Sequence, residues 1–197
     1  MEIKRLEVGF FENNCYILTC PRTRESVIID PAAEAKGILY EVEGRKVKYI
    51  LITHGHMDHI GALEEVRINT SAPVGIHAED AKALKKSPDF FLKDGQTLTC
   101  GDYPIKVLHT PGHSPGGVCF QAGKILFSGD TIFPNGPGNT SLPRANEQVI
   151  LESIHSKIFV LPDDTIIYPG HGLETTVGRE KATPFYPSTR RMTGNQV

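Results

Sequence analysis

Side chains able to do chemistry are concentrated in residues 53–59, which read Thr-His-Gly-His-Met-Asp-His. This stretch places three imidazoles and one carboxylate within seven residues. Neutral imidazole and carboxylate are ligands that suit zinc, iron and manganese. The stretch contains no cysteine, which argues against a closed structural zinc site, because such sites are rich in thiolates. We therefore predict that residues 53–59 form part of a catalytic metal site.

The spacing inside this stretch indicates two cations instead of one. Side chains two residues apart in an extended segment point the same way, so His54 and His56 form one pair. Asp58 and His59 are neighbours in the chain and must diverge, which makes them available to a second cation. The pattern predicts a single strip of chain shared between two metals.

Further candidate ligands follow predicted strands later in the chain. His113 lies in a loop rich in glycine and proline, Asp130 closes an apolar run, and His171 follows another. A polar residue just after a buried strand, beside a glycine that permits close backbone approach, is well placed for chemistry. His109 is the nearest rival to His113, and the remaining histidines are expected to be structural. The predicted ligands are His54, His56, Asp58, His59, His113, Asp130 and His171.

The elements that must position these ligands are strands with interspersed helices. Apolar runs and alternation predict strands at 2–8, 15–20, 26–29, 48–52, 74–77, around Leu98, and at 105–108, 117–120, 125–127 and 165–168. Helical spacing predicts helices within 31–45, 58–66, 78–86 and 147–159. Asp58 is predicted to cap the second of these helices. This arrangement indicates an α/β or α+β sandwich with both sheet faces covered.

Composition narrows the class of protein. A chain of 197 residues with 39% hydrophobic and 22% charged residues suits a single domain over 1–197. The net charge of −2 and the lack of a basic run argue against nucleic acid as a partner. No apolar run approaches the roughly 18–20 residues of a membrane span. Residues 1–7 lack an apolar signal region, so a cytoplasmic location is expected. The four cysteines have no CxxC spacing and are predicted to be buried free thiols.

Several motifs together resemble those of the metallo-β-lactamase superfamily, and in particular its short glyoxalase II-like hydrolases. They occur in order along nearly the whole chain, at residues 13–16 (Asn-Asn-Cys-Tyr), 27–31 (Val-Ile-Ile-Asp-Pro), 53–62, 110–116, 127–133 and 169–172. The resemblance implies an αββα sandwich, in which two mixed β-sheets are flanked by helices. It also implies that the metals lie at one edge, between the two sheets.

The resemblance further implies how two divalent metal ions share the ligands. The first metal would be held by three histidines, here called the first trio: His54, His56 and His113. The second metal would be held by a mixed set, here called the second trio: Asp58, His59 and His171. Asp130 would bridge the two metals. Zinc is the expected metal, with iron and manganese as alternatives.

The expected activity is hydrolysis of a small-molecule thioester, such as hydroxyacylglutathione, or of a related activated ester. A metal-bridging hydroxide would attack the carbonyl, and Asp58 would also orient this nucleophile. Persulfide dioxygenases resemble the chain as well, and use one iron at positions that match His54, His113 and Asp130. A lactonase is a further alternative. A non-enzymatic metal-binding module fits less well, because structural sites are closed and usually thiolate-rich.

The loop that follows Asp130 departs from the pattern of the short relatives. Where they often read Gly-Arg-Thr-Asp-Leu-Pro, residues 138–143 read Gly-Asn-Thr-Ser-Leu-Pro, so Asn139 and Ser141 replace charged residues. Leu173 also replaces a tyrosine of glyoxalase II. These departures argue against assuming glutathione recognition. Arg144 is a candidate replacement for the basic group, although an exposed loop position is its expected role. The oligomeric state is not indicated by the sequence.

Overall fold

Two six-stranded sheets form the centre of the fold in the computed structural model, which describes residues 1–186. Residues 187–197 of the predicted domain lie outside the described residues. The first sheet contains, in spatial order, β1 (Glu2–Val8), β2 (Asn13–Thr19), β3 (Glu25–Ile29), β4 (Lys46–Leu51), β5 (Val74–His77) and β6 (Phe90–Leu92). The second contains β14 (Thr175–Thr176), β13 (Ile166–Pro169), β10 (Ile125–Gly129), β9 (Val118–Ala122), β8 (Tyr103–His109) and β7 (Thr97–Cys100). A short ribbon joins β11 (Ile132–Phe133) to β12 (Gly136–Pro137).

Both large sheets are mixed. In the first, β3 to β6 pair in parallel while β1, β2 and β3 pair antiparallel. In the second, only the β10–β13 pair is parallel among the described strands. The helices are α1 (Ala35–Glu41), α2 (Met57–Ile60), α3 (Leu63–Thr70), the 3₁₀ helix Ala78–Ala83, α4 (Glu147–Ser153), the π-helical turn Ile154–Ile158 and α5 (Val177–Lys181). None of the helices within residues 1–186 has the length and apolar character needed to cross a membrane.

Three apolar layers hold these elements together, and β2 shows how they arise. Ile17 packs with the helices on the outer face of the first sheet, whereas Leu18 packs in the layer between the sheets. Successive residues of a strand point to opposite faces, so a strand buried on both sides is apolar throughout. Ile150 of α4 covers the outer face of the second sheet, together with Leu126. The layers therefore follow the order helix, sheet, sheet, helix, which confirms the predicted αββα sandwich.

Two sequence-based predictions need correction. Asp58 does not cap a helix, because α2 begins at Met57 and the chain continues into a separate helix, α3, after Gly61 and Ala62. The Asp58 carboxylate instead accepts a hydrogen bond from the Asn13 side chain. The short strands β6, β11, β12 and β14 were not predicted, since two or three residues are too few to show a period. All four cysteines are free and buried, as predicted.

Candidate metal centre

All seven predicted ligands lie where strands of the two sheets end. The strip that begins at Thr53 directly follows β4 and Ile52, in the first sheet. The second sheet supplies the other ligands, because His113 lies between β8 and β9, Asp130 follows β10, and His171 follows β13. The parallel pairing of β10 with β13 carries Asp130 and His171 to the same edge. The centre is therefore assembled between the sheets from both halves of the chain.

The first trio forms a compact group of imidazoles. One ring nitrogen from each of His54, His56 and His113 lies within 4.8 Å of the others. Nε2 of His113 is 2.9 Å from Nδ1 of His56, a short approach between two ring nitrogens. His54 is only 2% exposed and His113 5%, whereas His56 is half-buried. Three nitrogens directed at one another in a buried space form a suitable site for a divalent cation.

The second trio lies beside the first and includes a carboxylate. Donor atoms of Asp58, His59 and His171 also lie within 4.8 Å of one another. Asp58 Oδ2 is 3.4 Å from His171 Nε2 and 3.7 Å from His59 Nε2. This group is more open than the first, because Asp58 and His171 are half-buried. It offers a mixed oxygen and nitrogen donor set to a second cation.

Asp130 lies between the two trios. Its Oδ1 is 3.3 Å from His59 Nε2, and its Oδ2 is 3.6 Å from His113 Nε2 and 3.7 Å from His171 Nε2. The carboxylate thus contacts histidines of both groups at once. Gly170 approaches so closely that a Cβ there would collide with Asp130, which leaves no space for a larger residue. The geometry suits the predicted bridging role.

A buried carboxylate that was not among the predicted ligands fixes part of the centre. Asp30 accepts hydrogen bonds from the backbone nitrogen of Thr53 at 2.7 Å and from Nδ1 of His59 at 2.9 Å. Because Nδ1 of His59 donates to Asp30, its Nε2 faces Asp130. A carboxylate on the far nitrogen of a ligating histidine is a common outer-shell arrangement. Donor atoms of Asp30, His54 and His59 also lie within 4.8 Å of one another, as the ligands of one metal could. The Asp30 oxygens, however, already accept the hydrogen bonds from Thr53 and His59.

Other outer contacts orient the remaining rings. Nδ1 of His113 donates to the carbonyl of Asn139, and Nδ1 of His171 donates to the carbonyl of Phe11. A carbonyl can only accept, so each of these rings carries its proton on Nδ1 and presents Nε2 to the centre. Asn13 donates to Asp58 Oδ2 at 3.0 Å. Asn13 and Asp30 belong to the motifs that carry the family resemblance, but neither spacing nor residue type revealed their contacts.

The buried atoms of this centre fit a divalent metal. His54 Nε2, His59 Nε2 and Asp130 Oδ1 are buried and have no hydrogen-bond partner within the described chain. Buried polar atoms are rarely left unpaired. Imidazole nitrogen and carboxylate oxygen are the donors that zinc, iron and manganese accept. The unpaired atoms are therefore accounted for if they bind metal.

In the metal-free protein the pKa values of the histidines shift in opposite directions in the two trios. Burial, together with the neighbouring histidines, lowers the pKa of His54 well below its usual value, and also lowers the pKa of His56. Burial alone would lower the pKa of His59, but Asp130 and Asp30 outweigh it and raise this pKa to about 10. The hydrogen bond that His171 donates to Asp58 raises the pKa of His171. Within the first trio, His54 and His56 therefore favour the neutral form, whereas His59 and His171 of the second trio favour the protonated form.

The other histidines lie away from this centre. His109 stacks on His77 with ring centroids 4.0 Å apart, and its Nε2 hydrogen-bonds to the Pro115 carbonyl. His155 packs edge-on against Phe159. Within residues 1–186, none of these three histidines belongs to a cluster of His, Cys, Asp or Glu side chains that could hold a metal ion. The structure thus separates His113 from its rival, His109.

Comparison with known proteins places the chain in a family. The family model described as the metallo-beta-lactamase superfamily matches residues 8–171. The chain belongs to the metallo-β-lactamase superfamily. The match runs from β1 to the last predicted ligand, so it includes every residue of the centre.

Superfamily members of known structure and name agree with this assignment. Hydroxyacylglutathione hydrolase GloC of Haemophilus influenzae is 33% identical over 95% of this chain and 99% of its own length. The crystal structure of the BLEG-1 B3 metallo-beta-lactamase has a TM-score of 0.89 at 35% identity, covering 95% of this chain and 100% of that one. TTHA1623, crystallised in a di-iron-bound form, has a TM-score of 0.79 at 31% identity, covering 92% and 98%. This metallo-β-lactamase superfamily chain is a hydrolase whose His and Asp clusters suit divalent metal ions.

Proposed function

We propose that this superfamily hydrolase binds two divalent metal ions and hydrolyses thioesters or related activated esters. The observation that carries the proposal is the position of Asp130, in contact with histidines of two adjacent and complete trios. A centre for one metal would need only one trio. The GloC relative, named as a hydroxyacylglutathione hydrolase, supports a thioester as the substrate class.

The chain contributes a fixed carboxylate to the reaction. When bound, two divalent metal ions lower the pKa of water towards about 7 and polarise a carbonyl oxygen. Asp58 is held through Oδ2 by Asn13 and His171. We assign Asp58 two tasks, which are to ligate the second metal and to accept a hydrogen bond from the attacking water. Because Asn13 fixes the Asp58 side chain, the direction of attack is set before the substrate arrives.

The carboxyl groups of the centre favour a substrate with a good leaving group. The hydrogen bond from His171 lowers the pKa of Asp58. Burial would raise the pKa of Asp130, but the contacts with His59, His113 and His171 outweigh it and lower this pKa. Both groups are ionised at neutral pH and cannot act as general acids. A thiolate leaves without a proton, whereas an amide nitrogen needs one, so a thioester fits this centre better than an amide.

A cleft of about 280 Å³ beside His56 provides space for the substrate. Pro115, Lys82 and Arg144 line it, and Arg144 lies 3.8 Å from the exposed Glu79. A residue that replaces the missing basic group must lie near the centre. Arg144 meets this condition, because it lines the cleft beside His56. Its side chain is nevertheless exposed, as expected from the sequence.

The three departures from the short relatives have different local roles. The Asn139 carbonyl accepts from His113, and its side chain accepts from the backbone nitrogen of Ser141. Leu173 is 67% exposed and presents no hydroxyl to a ligand. The contact with His113 uses the backbone carbonyl, which any residue would supply, and the Asn139 side chain brings no charge to the site. This favours a substrate recognised by groups other than those of glyoxalase II.

One panel of rates tests the proposal. The protein, loaded in turn with zinc, iron and manganese, is assayed with S-lactoylglutathione, simple acyl thioesters, a homoserine lactone and a β-lactam. We expect thioester turnover to exceed lactone and β-lactam turnover, with two metal ions per chain. Zinc is our first choice of metal, and the di-iron form of TTHA1623 makes iron the main alternative. Absence of thioester turnover with every metal would refute the proposal.

The same preparations distinguish the remaining alternatives. Oxygen uptake with glutathione persulfide and one iron per chain would indicate a persulfide dioxygenase. Preferred turnover of the homoserine lactone would indicate a lactonase. A small molecule as the partner, without nucleic acid or membrane, stays a prediction, as does the cytoplasmic location.

A further inference from the structure

We infer that Asp80 is a positioning residue that holds together the two loops carrying the first trio. Asp80 lies in the 3₁₀ helix Ala78–Ala83, just after β5, and is only 6% exposed. It was not among the predicted ligands, and its nearest chain neighbours have no part in the centre. The inference rests on the proposed metal sites but not on the identity of the substrate.

The Asp80 carboxylate spans the two loops with one oxygen each. Oδ2 accepts a hydrogen bond from the backbone nitrogen of Gly55 at 3.0 Å, and Oδ1 accepts from that of Gly116 at 2.9 Å. Gly55 lies between His54 and His56, on the strip that follows the first sheet. Gly116 lies in the loop of His113, which belongs to the second sheet. One buried carboxylate therefore fixes the separation of ligands that come from opposite sheets.

Both loops have glycine at the point of contact, and Asp80 explains why. A Cβ on Gly116 would lie 2.6 Å from the Asp80 Cγ. A Cβ on Gly55 would lie 2.8 Å from the Ala83 Cβ and 3.3 Å from the Asp80 Cβ. Any side chain would push the loops away from the 3₁₀ helix. The two glycines let the backbone approach closely enough for the carboxylate to reach both amides.

The second trio has separate supports. Asp30 holds His59, Asn13 holds Asp58, and the Phe11 carbonyl holds His171. None of these contacts involves Asp80. Loss of the Asp80 contacts should therefore weaken binding at the first trio and leave the second trio almost unchanged. A residue needed only for folding would not produce this selectivity.

The substitution Asp80→Asn tests the role of the two hydrogen bonds that Asp80 accepts. Asparagine has nearly the same shape, but one of its two terminal atoms is an NH₂ donor, so it can accept from only one of the two glycine amides. The control Asp89→Asn alters another carboxylate, directly before β6, that accepts a backbone N–H, that of Val74 at 2.7 Å. The Asp89 contacts involve Arg67 and Val74, which are not part of the metal centre.

Zinc affinity for each site is measured by chelator competition, with histidine ring nitrogen resonances reporting which trio is occupied. We expect Asp80→Asn to lower affinity at the first trio by about 10–100-fold, the usual cost of losing an outer-shell partner. Affinity at the second trio should change less than about twofold, and Asp89→Asn should alter neither. Equal loss at both trios, or no loss at either, in a folded Asp80→Asn protein would overturn the inference.

A second measurement uses the unsubstituted, zinc-loaded protein, in case Asp80→Asn does not fold. Amide protons of Gly55 and Gly116 should both exchange slowly with solvent, because both donate to a buried carboxylate. Fast exchange at either glycine would contradict the inference. These outcomes are separate from substrate turnover. A protein that binds two zinc ions but hydrolyses no thioester would refute the proposed activity and leave the role of Asp80 standing.

Discussion

The first trio and the second trio lie side by side, yet their histidines hold protons differently in the metal-free protein. In the first trio, burial and neighbouring imidazoles lower the pKa of His54 and His56. In the second trio, carboxylates raise the pKa of His59 and His171. Metal ligation requires a neutral imidazole. His54 and His56 can therefore accept a cation without first releasing an extra proton, whereas His59 and His171 favour the protonated form and must release one.

The supports of the two trios differ in the same way. The first trio is joined across the sheets by backbone hydrogen bonds to Asp80. The second trio is held by direct contacts to its own side chains, from Asn13 and Asp30. The first site therefore depends on the relative position of two loops, and the second on local charge. Removal of a candidate ligand, of a side chain that hydrogen-bonds a ligand, or of a proton should therefore affect the two trios differently.

The largest effect is expected from His54→Ala, which removes a buried ligand of the first trio. Activity should fall by more than the roughly 10–100-fold that loss of an outer-shell partner costs, and one metal per chain should be lost. Turnover and metal content measured on the same preparation check this. His155→Ala is the matched control, because His155 packs on Phe159 away from the centre. Full activity in His54→Ala would exclude this residue from the centre.

A smaller effect is expected from Asn13→Ala, which removes the contact to Asp58 Oδ2. Activity should fall by about 10–100-fold, with the loss of affinity confined to the second trio. Asn69→Ala is the control, because Asn69 is exposed and, within residues 1–186, donates only to the Glu65 carbonyl of its own helix. A loss of affinity at the first trio instead would show that the two trios do not have separate supports.

The difference between the trios also explains what the sequence could predict. The seven candidate ligands could be named from the sequence because their signals are local, either spacing within residues 53–59 or the ends of apolar strands. Asp80 gave no such signal, because its two contacts lie 25 and 36 residues away along the chain. The helix cap predicted for Asp58 was wrong for the same reason, since Asn13, a distant residue, binds its carboxylate. Local pattern identifies ligands, whereas their supports depend on tertiary contacts.

Lowering the pH should weaken metal binding at the second trio more than at the first trio. His59 must lose a proton to ligate, and its pKa of about 10 exceeds neutral pH. Displacing the His59 proton alone makes affinity at the second trio fall about tenfold for each unit that pH decreases between 8 and 6.5, and the raised pKa of His171 makes the fall steeper. Affinity at the first trio should stay nearly constant over this range, because the pKa of His54 and of His56 is lowered. Zinc titrations at several pH values measure both. An equal pH dependence at the two sites would contradict the comparison.

Protonation of His59 should also make the stability of the metal-free protein depend on pH. The pKa of His59 is about 10 in the folded protein and about 6.5 in an unfolded chain. Between these values the folded state binds the extra proton, so its stability falls as pH rises. The stabilisation by Asp130 and Asp30 is complete below about pH 6.5 and is lost towards pH 10. Thermal unfolding of chelator-treated protein should show a midpoint that falls across this range.

Two comparisons test whether His59 causes this slope, which is the change of the unfolding midpoint with pH. In the His59→Gln variant the titrating group is absent, so the contribution of this residue to the slope should vanish while other groups titrate as before. In the zinc-loaded protein the ring is already neutral at the second trio, so its contribution should vanish there too. A slope that persists unchanged in His59→Gln would show that the proton lies elsewhere. The contrast between the lowered pKa of His54 and His56 and the raised pKa of His59 would then fail.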